Sequence, residues 1–179
     1  MRKYGGGDQG ETTLASGIRV FKDDERLEVC GTIDEVSSLL GLARSILGED
    51  DEISSQLLKI QEHLFILGSQ ISSIDSKKPK LRIDKKNLSF LEELIEAYEG
   101  RLPRIDGFIY PGGVEAAAII HLARSIARRA ERRAVALSRR FDLDPMILAY
   151  LNRLSTALFI LARYLNLREG VEERVWRSS

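Results

Sequence analysis

From Thr32 onward the apolar residues recur every three or four positions, the period of an amphipathic helix. Thr32 and Glu35 form a T-x-x-E capping box, and Val36, Leu39, Leu40, Ala43 and Leu47 follow on one face, so a first helix is expected to begin there. A second spans about 53–72, with Leu57, Ile60, Leu64, Leu67 and Ile71 in line. SKKPKLR (76–82) reads as a charged connector broken by Pro79. Asp84 caps a third helix that runs to about Tyr98 and is closed by Gly100. The turn Pro111-Gly112-Gly113 opens the longest helix, about 114–140, whose core stripe reads Ile119, Leu122, Ala123, Ile126, Ala127, Ala130, Ala134 and Leu137. Pro145 opens the last helix, which carries Leu148, Leu151, Leu154, Leu158, Leu161 and Leu165 and ends near Asn166.

Period-2 alternation nowhere persists long enough for a strand, and residues 1–20 read as an irregular glycine-rich arm. The expected fold is therefore all-α, an antiparallel bundle of about five helices with short connections. A single domain over 1–179 is expected, with 1–20 as a flexible arm.

The chain has 179 residues, of which 44% are hydrophobic, enough for one domain with a real core. No apolar run approaches the roughly 20 residues of a membrane span, and the N-terminal residues lack the apolar stretch of a signal peptide. Cys30 is the only cysteine, so no intrachain disulfide can form. A reducing, cytoplasmic setting is the expectation.

Charge changes the picture. The formal net charge is zero, yet residues 121–140 hold seven arginines (124, 128, 129, 132, 133, 139 and 140) against one acid, Glu131. A local positive field on a neutral chain points to a specific anionic ligand more than to general affinity for polyanions. Arg124, Arg128 and Arg132 stand at i, i+4 and i+8, stacked about 6 Å apart along one helix face. On this helix alone, a solvated charged face is an equal alternative. The arm Gly5-Gly6-Gly7-Asp8-Gln9-Gly10-Glu11-Thr12-Thr13 could offer backbone N–H groups and hydroxyls to phosphate, with an acid for magnesium. It is no Walker loop, and taken alone it reads more readily as a plain flexible arm. The two histidines, His63 and His121, form no E-x-x-H pair, which excludes a ferritin-like di-iron site. An arginine-helix module for nucleic acid is the main competing function, opposed by the neutral net charge and the few aromatics.

Taken together the motifs resemble the ATP:cob(I)alamin adenosyltransferases of the trimeric helical-bundle type. Gly7-Asp8-Gln9-Gly10 with Thr12-Thr13 matches an arm of the form T-K-T-G-D-x-G followed by hydroxyl residues. RVFKDDERLEVCGTIDE (19–35) follows R-V-x-K-D-D-x-R-x-E-x-x-G-T-x-D-E, and FIYPGG (108–113) follows F-I-L-P-G-G. HLARSIARRAERR (121–133) meets H-x-A-R-x-x-x-R-R-A-E-R-R at every fixed position, and YLNRLSTALFILARYLN (150–166) completes the set. Two departures are Tyr4-Gly5-Gly6 in place of Thr-Lys-Thr, and Thr156 where an Asp is usual.

The resemblance implies transfer of the 5′-deoxyadenosyl group of ATP to the cobalt of reduced cobalamin, with magnesium on the phosphates. It implies ATP binding by Gly5, Gly6, Gly7, Asp8, Gly10, Thr12, Thr13, Lys22, Arg128, Arg129, Glu131, Arg132 and Asn152. Arg128 would act on the leaving group. Phe108 would exclude the lower axial ligand of cobalamin, whereas without the resemblance it reads as a staple on the helix start. Asp34 and Arg124 match a pair that bridges subunits beside the corrin site. A homotrimer with sites between subunits is implied, together with a reductase and an enzyme that receives adenosylcobalamin. Neither nucleic acid nor a membrane is expected as a partner, and no metal ligand set from the protein is implied.

Overall fold

The computed structural model describes residues 5–75 and 81–177. Tyr4 and most of the charged connector at 76–82 lie outside them. Five helices carry the fold: α1 (Glu25–Leu47), α2 (Glu52–Ser72), α3 (Lys85–Glu99), α4 (Glu115–Ser138) and α5 (Pro145–Arg168). Two short ribbons accompany them. In the first, β1 (Glu11–Thr13) pairs antiparallel with β2 (Arg19–Phe21), with Thr12 opposite Val20. In the second, β3 (Phe108–Ile109) pairs with β4 (Val175–Trp176), Phe108 opposite Trp176. The arm is thus a hairpin over part of its length rather than wholly irregular, because three-residue strands are too short to show an alternating pattern.

The first helix begins a full two turns before the expected capping box. Asp24 is the cap, its side chain accepting from the N–H of Arg26 at 2.9 Å, and Glu25 and Glu28 fill the first turn. Thr32 is an interior residue whose hydroxyl donates to the Glu28 carbonyl at 2.7 Å. Val29 and Ile33 extend the buried stripe upstream to Val36, Leu40 and Ala43. This apolar continuity outweighs the roughly 1 kcal/mol that Gly31 costs within a helix. The starts of α2, α3 and α5 are capped by Asp51, Asp84 and Asp144. Gly100 follows α3 with φ −63°, so the helix closes without a left-handed glycine.

Ion pairs and ring contacts fix the helix directions. Pairs between Glu35 and Arg129, and between Glu25 and Arg140, run α1 against α4. His63 meets Tyr150 while Gln70 meets Asp144, so α2 opposes α5. Glu92 meets Arg153 and Tyr98 meets Tyr164, so α3 and α5 lie parallel. The bundle alternates along the chain as expected, and helices two apart in that order point the same way, so α3 and α5 are parallel where they pack.

One core runs through all five helices. Its centre is α5, where Tyr150, Leu151, Leu154, Ala157, Leu158, Leu161, Ala162 and Leu165 are all sealed from solvent. By length and composition α5 could span a membrane, with a mean hydropathy of 1.4 over an 18-residue window, although Asn152, Arg153 and Arg163 interrupt it so that no unbroken apolar run reaches that length. Its apolar side chains are occupied instead by α3, α4 and α2. On α4 the buried face is Ala116, Ala117, Ile120, Ala123, Ala127, Ala130, Ala134 and Leu137. Leu122, expected in the core, is exposed, and Ile120 takes that role. α4 lies between α1 and α5, so its buried arc is wide and shifted, and alanines let both neighbours approach.

His121, also on α4, is buried with neither ring nitrogen hydrogen-bonded among the described residues. Burial, then the nearby cations Arg124 and Arg163, lower its pKa to about 4 from 6.5. The unfolded chain therefore takes up a proton here that the folded chain refuses, so stability falls as pH drops from about 6.5 towards about 4. We expect His121→Phe to flatten that part of a Tm-against-pH curve; an unchanged slope would rule this out.

Candidate functional site

Apart from Arg139, which is exposed and meets no carboxylate among the described residues, the arginines of α4 and of the turn just beyond it separate into two sets. Those facing α1 meet carboxylates: Arg129 pairs with Glu35, Arg133 with Glu28 at 2.9 Å and Arg140 with Glu25 at 2.8 Å. Arg133 also donates to the Glu28 carbonyl and to the Thr32 hydroxyl, at 3.1 and 2.5 Å. Arg124, Arg128 and Arg132 turn another way, and none of them meets a carboxylate among the described residues. The sequence could give their common face; only the position of α1 separates them from the neutralised set. It also breaks the continuous basic stripe that a nucleic-acid reader needs.

Arg124 is the half-buried member. Its guanidinium lies 5.8 Å from the centre of the Phe159 ring, and its Nε is buried without a hydrogen-bond partner among the described residues. Burial, then the neighbouring Arg128, lowers its pKa from the usual arginine value. Arg128 and Arg132 are exposed. Three unneutralised forks at one-turn spacing repel one another by roughly 0.2–0.5 kcal/mol per pair, a cost an anion would remove.

Glu131 is in the middle of this helix yet makes no ion pair with it. Its Oε1 accepts from Asn152 Nδ2 of α5 at 2.9 Å. This bond ties the arginine helix to the exposed α5 face that carries Asn152 and Thr156, one turn apart. Two of the expected site residues are thereby brought together.

The glycine arm forms two successive turns, with Asp8 N–H on the Gly5 carbonyl and Gly10 N–H on the Gly7 carbonyl, both at 3.2 Å. Gly5 and Gly10 have φ of 94° and 83°, a region L side chains rarely adopt. Arg19 braces the loop through Glu11 at 2.8 Å and the Gly6 carbonyl at 3.1 Å. Lys22 crosses directly beside Gly7: a Cβ there would stand 3.2 Å from the lysine Nζ. Gly7 and Lys22 thus meet, with Thr12 and Thr13 on the adjoining strand. No described contact joins the arm to Arg124, Arg128 or Arg132. Nor does one join Asp34 to Arg124. Asp34 is exposed on α1, in a groove of about 210 Å³ with Cys30, Ile33, Ser37, Leu64 and Phe65. Cys30 itself is held protonated by burial, its pKa raised to about 11.

Phe108 is 80% exposed on β3. A residue stapling the start of α4 would be buried there, so the local reading of Phe108 is overturned. Its strand is held by the β4 pairing and by Tyr110 N–H on the Arg174 carbonyl at 2.9 Å. The turn that follows is held by Asn166, which sequence reading gave no role. Asn166 Nδ2 donates to the Gly112 carbonyl at 2.9 Å, and its Oδ1 accepts from Val114 N–H at 3.0 Å. Val114 precedes α4 and has no side chain to cap it, so Asn166 acts as the cap from another helix. A signal was present: Asn166 and Arg163 interrupt the apolar stripe of α5.

Gly113 has φ 108°, and a Cβ there would stand 1.9 Å from Asn166 Oδ1. Gly113→Ala should therefore cost at least about 1–3 kcal/mol from backbone strain alone. At roughly 2–4 °C per kcal/mol, a thermal melt reads this directly, and an unchanged Tm would contradict the geometry.

A helical bundle with an unneutralised arginine row, an acid–amide link to its neighbour and a glycine loop beside a lysine presents a face whose charge complements an anion. The sequence profile of the family described as Cobalamin adenosyltransferase matches residues 3–165, and the chain belongs to that family. It is 41% identical over 168 residues to the corrinoid adenosyltransferase of Bacillus subtilis, covering 92% of this chain and 86% of the relative. With the corrinoid adenosyltransferase MMAB of Homo sapiens the identity is 35% over 176 residues, covering 95% and 70%. The fold superimposes with a TM-score of 0.90 on a phenylalanine-to-alanine variant of a PduO-type ATP:corrinoid adenosyltransferase from Lactobacillus reuteri complexed with cobalamin and ATP. That structure is 31% identical, and the match covers 98% of this chain and 99% of that one. An arginine-to-lysine variant of the same kind of enzyme, complexed with ATP, gives a TM-score of 0.89 at 32% identity, with 98% and 100% covered.

Proposed function

We propose that this chain transfers the 5′-deoxyadenosyl group of ATP to the cobalt of reduced cobalamin, releasing triphosphate. The observation that carries the reading is the row Arg124, Arg128 and Arg132, left without carboxylates beside the Glu131–Asn152 link. Cobalt(I) supplies the electron pair for the new cobalt–carbon bond. The bond between C5′ and its oxygen breaks, and that oxygen leaves with its electron pair on the triphosphate. No Ser, Cys or His nucleophile is needed. What the protein must do is align C5′ with cobalt and neutralise the charge that gathers on the leaving group.

Arg128 and Arg132 take the phosphates with bidentate forks, and Arg129 is positioned beside them through Glu35. Gly5, Gly6, Gly7, Asp8, Gly10, Thr12, Thr13 and Lys22 close over the polyphosphate from the arm. Glu131 and Asn152 fix the nucleotide end. Among the described residues no group of three or more His, Cys, Asp or Glu side chains is gathered for an ion. In this reading Mg2+ enters as part of the MgATP substrate. Phe108 excludes the lower axial ligand of cobalamin.

The active unit is a homotrimer of this single domain, with each site between two subunits. This accounts for the exposed Asp34 and the half-buried, unpaired Arg124 Nε, which lack each other within one chain and complete a bridge across the interface. The enzyme works in the cytoplasm, receives cobalamin from a reductase and passes adenosylcobalamin to an enzyme that uses it. Light scattering should give about three times the 20.1 kDa chain mass; a fully active monomer would remove the intersubunit site. The decisive assay mixes the protein anaerobically with MgATP and cobalt(I) cobalamin. Adenosylcobalamin and triphosphate should appear together, and their absence refutes the assignment.

A further inference from the structure

Phe108 stands on a two-residue strand, which cannot by itself hold an aromatic ring in a fixed direction. What holds it comes from the C-terminal end of α5. Asn166 is 3% exposed and is the only side chain bonded to the 111–114 turn among the described residues: its amide donates to the Gly112 carbonyl and its oxygen accepts from Val114 N–H. Its own carbonyl accepts from Val171 N–H at 2.8 Å, where the chain turns back towards β4. One turn earlier, the buried Arg163 donates to Glu173 Oε2 and to the Pro103 carbonyl, both at 2.8 Å. That grips the segment leading into β4 and the segment leading into β3. Gly107 is shut in as well, since a Cβ there would lie 3.0 Å from Val175 Cγ1.

We propose that Asn166 is a positioning residue for Phe108, with the Arg163–Glu173 pair as its second anchor. The inference rests on the reading of Phe108 as the residue that excludes the lower axial ligand. Asn166 fixes the turn that ends β3 and Arg163 fixes the partner strand, so the Phe108 backbone is held from both sides. Both side chains are buried and act through the backbone they hold. A wedge against a coordinated ligand works only if its backbone cannot recoil, and a buried amide bonded at both ends supplies that stiffness.

The test compares Asn166→Asp and Glu173→Gln with Phe108→Ala. Aspartate keeps the acceptor for Val114 N–H but sets a second acceptor against the Gly112 carbonyl, so the turn loses its donor. Each variant is loaded with MgATP and cobalt(II) cobalamin, and the four-coordinate fraction is read by electron paramagnetic resonance. ATP affinity and turnover from pre-formed cobalt(I) are measured alongside. Expected for Asn166→Asp is a four-coordinate fraction at least fivefold lower, with ATP affinity and cobalt(I) turnover within about threefold of the parent chain. A parent-like four-coordinate fraction overturns the proposal, and so does a uniform loss of all three readouts. If Asn166→Asp does not fold, Glu173→Gln decides by the same criteria. If Phe108→Ala itself leaves the signal unchanged, the reading of Phe108 fails rather than the role of Asn166.

Discussion

Arg128→Ala is expected to lower turnover by about a hundredfold or more while the protein remains folded. The side chain is exposed on α4, and the core contacts on either side belong to Ala127 and Ala130. Truncation opens no cavity, and surface changes of this kind stay within roughly 0.5 kcal/mol of stability. It also relieves repulsion from Arg124 and Arg132, about 0.2–0.5 kcal/mol for each pair, so Tm should hold or rise slightly. The kinetic effect is far larger. Losing one preorganised, charge-assisted contact to a departing anion raises the barrier by about 2.7–4 kcal/mol. Steady-state turnover from cobalt(I), with a thermal melt on the same sample, separates the two effects. Near-normal turnover would take the leaving-group role away from Arg128.

Phe108→Ala should divide the reaction by the oxidation state it starts from. The ring is exposed and the strand pairing with Trp176 is made by backbone atoms, so little packing is lost. ATP binding should be unchanged, and pre-formed cobalt(I) should react at close to the parent rate. Starting from cobalt(II), activity should fall about tenfold or more, each tenfold being about 1.4 kcal/mol of barrier. The four-coordinate cobalt(II) resonance should disappear with it. A residue that only packed would slow both starting states alike and lower Tm, and that pattern would end the ligand-excluding role.

The sequence by itself determined the five helices, because apolar periodicity over 15 residues or more leaves little freedom. It misplaced the start of α1. T-x-x-E is a signature that an interior threonine and an unrelated glutamate can satisfy by chance, and Thr32 bonds back to Glu28 instead. It also set Leu122 in the core, since a single stripe was drawn for a helix that packs on two neighbours. The residue types also showed a row of permanent cations at one-turn spacing and a glycine-rich arm.

Tertiary structure alone decided which arginines remain available. Glu25, Glu28 and Glu35 lie about a hundred residues away in the chain, yet they neutralise Arg140, Arg133 and Arg129 and, on α4 itself, leave Arg124, Arg128 and Arg132. It likewise decided that Asn166, more than fifty residues beyond Gly112, completes a turn no local side chain could cap. Periodicity is a property of neighbours along the chain and survives in one dimension. Charge neutralisation and hydrogen-bond completion depend on distance in space, which only the packed bundle sets.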